Sequence, residues 1–377
     1  WENTFATLFG APISNIIAAS ESVAPYYYHK AKKGATSTVV SVDIGGGTTD
    51  VLIVDKGEPK YLTSFRFAAN TIFGDGYSYD SDSNGFVNKY KDIITNQLET
   101  NNLRGLKAVL KSVLDKRVST DVIAFLFSLA SNKEIKKEKV EINFAKMLAD
   151  DNRGKYVVIL FYVAIVYHIA KLMKAKGFDM PRHMTFSGNG SKVLNILSTN
   201  DATLVRLTKI IFEEIYAQSY SIDGLDIIRP ANSKESTCKG GIILTPFQSQ
   251  DYGEIKDMKT ILIGTDNEKF ADVHMTYNDV TEADLDSVVD VIKEYIEFTF
   301  KLDKKFSFYD NFDVDRSIMN KVKDLCYRDI RTYLENGLAI KKSEIAQDGA
   351  DDNLEETLFF YPLVGIINAV VRNIYQM

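Results

Sequence analysis

The chain has 377 residues, 45% of them hydrophobic and 25% charged, which is the make-up of a globular protein with ample core and excludes a disordered or collagen-like chain. Residues 1–250 hold 30 Lys and Arg against 25 Asp and Glu, and residues 251–377 hold 15 against 26, so the overall charge of −6 divides into +5 and −11. An acidic second part argues against nucleic acid as its partner.

In chain order, residues 1–10 read as the end of a helix closed by Gly10, and Ile13, Ile16 and Ile17 as a short strand. Residues 22–33 suit a helix that carries Tyr26, Tyr27 and Tyr28, has lysines at its C-terminal end and stops at Gly34. Residues 36–55 read as two strands around a glycine turn, and 61–68 extend the sheet after the Asp55-Lys56-Gly57 turn. Phe73-Gly74-Asp75-Gly76 breaks the strand pattern, and a lysine-rich helical stretch runs on to residue 150. It predicts a helical subdomain inserted at about 77–150, its lysines forming a solvated face or a partner contact. Residues 156–170 are apolar, but too short for a membrane span and interrupted by Tyr162, Tyr167 and His168. They predict a core helix under the sheet, with His168 a core histidine and no membrane partner.

Residues 183–186 form a strand that turns through Ser187-Gly188-Asn189-Gly190-Ser191 into a helix over 192–197, and 202–218 show 3.6-residue periodicity. A short strand follows at 227–230, then Gly240-Gly241 and another apolar run. Beyond Pro246 the sequence predicts a hairpin (260–264 with 272–277), acidic amphipathic helices near 282–300 and 316–335, and a terminal helix with Phe359, Leu363, Ile366, Ile367, Val370 and Val371 on one face. Cys238 and Cys326 are too few and too far apart for a disulfide framework or a metal cluster, and the four histidines are scattered. This usage predicts a reducing, cytoplasmic compartment. The chain opens on Trp1 in mid-pattern, as a piece cut from a longer protein would.

The chemically richest stretch is 41–54, SVDIGGGTTDVLIV. A hairpin tip made of Gly45, Gly46 and Gly47 is nearly bare backbone, and bare N–H groups approach an anion closely. Thr48 and Thr49 add hydroxyl donors. Asp43 and Asp50 would repel a phosphate on their own, so the pattern predicts a phosphate beside a bound divalent cation. The competing reading is a plain hairpin, against which stand the entropic cost of three glycines and two carboxylates ending apolar strands. Strand, glycine turn and helix at 183–197 is a second place for a nucleotide, at a helix N-terminus, or an ordinary tight turn.

Together, and in this order, these motifs resemble the actin-like ATPase superfamily: actin, DnaK-type chaperones, bacterial filament ATPases and sugar kinases. Asp43 to Asp50 is similar to that family's second phosphate motif, Phe186 to Lys192 to its adenosine motif, IIAASESVA (16–24) to its first connecting segment and STCKGGII (236–243) to its second, with Gly240 at a helix–helix contact. The resemblance covers about residues 10–245, with the DnaK-like and filament branches nearest. It implies an α/β fold with a ribonuclease-H-like mixed sheet and flanking helices, carrying the helical insertion. Residues 1–250 would be a nucleotide-binding lobe and 251–377 an extra acidic, helix-rich region. The family's first phosphate motif has no counterpart before Ile13, which implies a second lobe entered just before the first connecting segment.

By the same resemblance, Gly45, Gly46, Gly47, Thr48 and Thr49 would hold the phosphates of ATP or ADP. Asp43 and Asp50 would sit by the Mg²⁺, Glu21 would orient the attacking water, and Gly188, Asn189, Gly190 and Ser191 would face the adenosine. The expected function is Mg-dependent ATP binding, with hydrolysis once a first lobe completes the site. A nucleotide-switched filament or scaffold that associates through 77–150 or 251–377 is the alternative, and a small-molecule kinase a weaker third.

Overall fold

The structure is a computed structural model, and it describes residues 2–10, 24–33, 38–77, 82, 84–220, 224–230, 233–243, 276–348, 353–354 and 356–377. The expected strand at 13–17, Glu21 and all of the expected hairpin (260–264 with 272–277) up to residue 275 lie outside the described residues.

Five strands form one open mixed sheet in the order β3-β2-β1-β4-β5. They are β1 (Val39–Ile44), β2 (Thr49–Asp55), β3 (Glu58–Phe65), β4 (His183–Ser187) and β5 (Asp226–Ile228). β1, β2 and β3 are an antiparallel meander, whereas β4 joins β1 and β5 joins β4 in parallel. The protein is therefore α/β, as the alternation of strands and helices predicts.

Two-residue alternation divides each strand between two faces. On one face of the sheet Val40, Val42, Ile44, Val51 and Ile53 join the main core. On the other, Val39, Leu52 and Val54 pack with Tyr26 and Tyr27 of α2 (Ala24–Lys33) in a smaller cluster. The eight-residue α1 (Glu2–Phe9) ends at Gly10 in the left-handed region (φ 59°), as expected.

β3 stops at Phe65, three residues short of the expected end, and the chain then forms the short helix α3 (Ala69–Phe73). From here the insertion runs through α4 (Gly85–Thr100), α5 (Arg104–Asp115), α6 (Ser119–Ser128), α7 (Lys133–Lys137) and α8 (Phe144–Ala149). Asn84 ties it to α3. Its Oδ1 caps α4 by accepting from Phe86 and Val87 N–H, and its Nδ2 donates to the Gly74 carbonyl at 2.8 Å.

The 21-residue α9 (Lys155–Ala175) then crosses under the sheet. Among the described residues it is the one helix long and apolar enough to cross a membrane, yet 94% of its most apolar stretch is buried inside the protein. Val157 to Tyr167 are all 2% exposed or less, so the helix is apolar all round because core surrounds it. His168 is the core histidine expected, stacked on Phe359 at 5.4 Å.

After β4, a 3-10 turn (Gly190–Val193) leads into α10 (Leu194–Leu197), so the first two residues of the expected helix are 3-10. α11 (Asp201–Tyr216) returns the chain to β5. α12 (Ser233–Ile243) continues through Gly240 and Gly241 because Gly240 abuts α2: a Cβ there would lie 1.7 Å from the Ala24 carbonyl oxygen.

The C-terminal helices are α13 (Glu282–Phe306), α14 (Phe308–Phe312), α15 (Met319–Cys326), α16 (Ile330–Asp348) and α17 (Phe360–Asn373). The single helix expected near 316–335 is broken at Asp329, which takes the left-handed conformation (φ 55°). These helices share the main core with the sheet: Phe360 stacks on Phe65 at 4.0 Å, and the Tyr295 hydroxyl donates to the Leu160 carbonyl at 2.6 Å.

Candidate functional site

The β1–β2 turn leaves the sheet at the end where β1 and β4 run parallel. Gly45 N–H donates to the Thr48 carbonyl at 2.9 Å and closes the tip. The carbonyls of Gly45 and Gly46 accept from Ala69 and Asn70 N–H at 3.3 and 2.8 Å, so the first turn of α3 braces the tip from behind. Gly46, Gly47 and Thr48 are exposed, and among the described residues their N–H groups donate to no acceptor. Three main-chain donors at one exposed turn are the elements of an anion cradle.

The second glycine turn lies directly against the first. Gly188 takes a left-handed conformation (φ 80°), and a Cβ there would lie 2.2 Å from the Ile44 carbonyl oxygen and 2.4 Å from Asp43 Oδ1. At Gly190 it would lie 2.1 Å from the Gly45 carbonyl oxygen. Asn189 is exposed beside the tip. Ser191 spends its hydroxyl on the Gly188 carbonyl (2.8 Å), so it shapes the turn and does not line the cleft.

From these two turns a cleft of about 820 Å³ runs toward the helical insertion. Gly46, Asn189 and Gly190 are at its head, and Asn70 and Phe73 of α3 are along its length. One wall comes from α6 and α8, including Ile123, Phe127 and Lys146, and the other from Lys192, Val193 and Ile196. Its lining is mainly apolar, with polar groups both near the tip (Asn70, Asn189) and along the walls (Asn143, Lys146, Lys192, Asn195), the make-up of a pocket for a small organic ligand.

Asp43 and Asp50 face each other across β1 and β2 in register, on the α2 side of the sheet. Asp43 is buried and accepts from the Ser187 hydroxyl at 3.1 Å. Among the described residues no three His, Cys, Asp or Glu side chains gather as a metal cage, so a cation here would depend on these two carboxylates and on water or ligand oxygens.

Thr49 departs from expectation. It pairs with Ile44, which puts it on the core face, where it is fully buried and donates its hydroxyl to the Phe67 carbonyl at 2.6 Å. It braces the hairpin and does not face the cleft. Alternation carries the signal: Thr49 and Asp50 are neighbours, so they point to opposite faces. Asn70 and Phe127 were not among the expected site residues, although both line the cleft.

A comparison with known protein families finds no match for this chain, and a comparison with curated proteins finds none either.

Proposed function

We propose that this chain is a nucleotide-binding lobe of the actin-like ATPase type that takes ATP or ADP with Mg²⁺. The observation that carries the reading is the junction of the two glycine turns. An exposed tip with open N–H groups and a second turn packed on its backbone open together on one largely apolar cleft. Phosphates at Gly46, Gly47 and Thr48 with the base toward the insertion use both halves of that chemistry.

The strand order, with β2 antiparallel between β3 and β1 and the rest parallel, supports a ribonuclease-H-like sheet. Asp43 opposite Asp50 supports the cation, because their register places two carboxylates side by side at the end of β1 and β2, and carboxylate oxygens are the donors a divalent cation takes. These two carboxylates would hold Mg²⁺, which would neutralise phosphate charge. Glu21 would orient water, and hydrolysis would need the partner lobe. The cytoplasmic compartment is part of the same proposal.

A second reading, a nucleotide-switched filament or scaffold, draws support from the insertion. Ile93, Val109 and Val118 are 43%, 47% and 40% exposed there, apolar side chains available to a neighbouring molecule. Sedimentation with and without ATP separates the two, large nucleotide-dependent assemblies favouring the filament.

The direct test is calorimetry with ADP and ATP, with and without Mg²⁺, on the native chain and Asp43→Ala. The reading expects binding that Mg²⁺ strengthens and a loss of that strengthening in the variant. Equal Mg²⁺ dependence in both would remove Asp43 from the site.

A further inference from the structure

Phe127 is an apolar ring left out of the core. α6 buries Val122, Ile123 and Leu126, whereas Phe127 remains 36% exposed and lines the cleft. Two buried rings hold it edge-to-face: Phe73 at 5.4 Å and 80°, and Phe144 at 4.9 Å and 70°. Such contacts fix the position of a ring. Ile123 and Ala124, one turn earlier on α6, and Val193 and Ile196 on the far wall add apolar lining, while Asn143 and Lys146 add polar groups to the same cleft.

Its position relative to the phosphate end is set by one short helix. Asn70 N–H holds the Gly46 carbonyl, Phe73 follows one helical turn later, and Phe73 touches Phe127. α3 thus links the anion cradle to the exposed ring along the cleft.

We propose that Phe127 is the platform on which the base of the bound nucleotide stacks. This rests on the nucleotide reading above and deepens it: the ligand is recognised at one end as a polyphosphate and at the other as a flat aromatic ring. A single aromatic face is tolerant of base identity, because every base offers a π-face. Phe127 therefore selects aromatic nucleotides over free polyphosphates without itself choosing among the bases.

Calorimetry with two probes, Mg-ADP and Mg-pyrophosphate, tests this on the full chain. The native chain is expected to bind ADP more tightly than pyrophosphate. Phe127→Ala and Phe127→Leu are each expected to weaken ADP about 10- to 100-fold and leave pyrophosphate within about twofold. Phe127→Trp should restore ADP affinity and show fluorescence quenched by ADP but not by pyrophosphate, Trp1 being the only tryptophan in the native chain. Leucine keeps the bulk, so a loss in Phe127→Leu with an unchanged melting temperature separates stacking from packing. ADP binding unaltered in both variants, or pyrophosphate weakened as much as ADP, overturns the platform while the nucleotide reading stands. A native chain that binds neither probe overturns both.

Discussion

Gly190 rests its α-carbon on the carbonyl of Gly45, so closely that an added Cβ would lie 2.1 Å from that oxygen and 2.8 Å from the Ile44 carbonyl oxygen. The two glycine turns, 145 residues apart in the chain, form one backbone-on-backbone junction at the head of the cleft. Their glycines serve different ends. Gly188 and Gly190 are needed for the close approach, whereas Gly46 is open: a Cβ there would meet only the Asn70 carboxamide, at 3.6 Å.

Substitution should therefore separate fold from binding. Gly190→Ala and Gly188→Ala are expected to cost about 1–3 kcal/mol or more, the latter adding the strain of a left-handed alanine. Gly46→Ala should stay within about 0.5 kcal/mol, as an exposed site would. Urea unfolding of the three variants checks the order. Gly46→Ala is nonetheless expected to weaken Mg-ADP, since the methyl group lies on the exposed tip.

Asp151 joins the insertion, the core helix and the C-terminal end. Its buried carboxylate accepts from Tyr90 (3.0 Å), from Tyr375, from Lys89 (2.9 Å) and from the N–H groups of Arg153 and Gly154 (3.2 and 3.1 Å). Burial alone would raise its pKa, but the Tyr375 hydroxyl, the Lys89 ammonium and the Gly154 N–H outweigh that and hold it below the usual carboxylate range. Asp151→Ala removes the shared acceptor and leaves Lys89 and two tyrosine hydroxyls to find others. The expected cost is about 3–5 kcal/mol, read as a drop in the urea midpoint. Because the folded pKa is lowered, this contribution is complete at neutral pH and fades only as pH falls through the acid range.

His168 gives the fold a sensitivity to acid. Burial among Phe65, Phe359 and Phe360 pushes its pKa down to about 3, so the folded protein keeps the ring neutral. The unfolded chain takes up a proton below the ordinary histidine value near 6.5. Stability from this residue is thus present above about pH 6.5 and lost as pH falls from there toward 3, by about 2 kcal/mol between pH 7 and 5. His168→Leu should shrink the pH 7 to pH 5 difference in unfolding free energy by that amount. An unchanged difference would show that other groups carry the acid response.

What local pattern determines was legible in the sequence. The hairpin and its glycine tip follow from alternation and turn chemistry, and α9 and the core role of His168 follow from an apolar run too long for a strand. What distant contacts determine was not. α3 has five residues, too few to show a period, yet it braces the tip. α12 runs through two glycines because of Ala24, more than 200 residues earlier. Phe359 and Phe360 pack on β3 and α9 with no local signal for it. In the cleft, Phe127 lies beside core residues in an apolar stretch of sequence, and only the helix orientation puts its ring outside the core.

Asn70 is a polar residue beside the tip whose side chain makes no hydrogen bond among the described residues. Its N–H is spent on Gly46, but its exposed carboxamide lies over the Gly46 α-carbon and lines the cleft beside the open N–H groups. An amide there can donate to a phosphate oxygen, a charge-assisted bond worth about 1.5–3 kcal/mol. Asn70→Ala is therefore expected to weaken Mg-pyrophosphate and Mg-ADP by the same factor, about 10-fold or more, because both carry the group it contacts. Asn70→Asp should weaken them further, since a carboxylate beside phosphate repels it. This pattern is the complement of Phe127, whose loss spares pyrophosphate. Stability should change little, as the main-chain bond to Gly46 survives both substitutions. If Asn70→Ala binds both probes as the native chain does, the carboxamide has no part in holding phosphate and the tip's own N–H groups suffice.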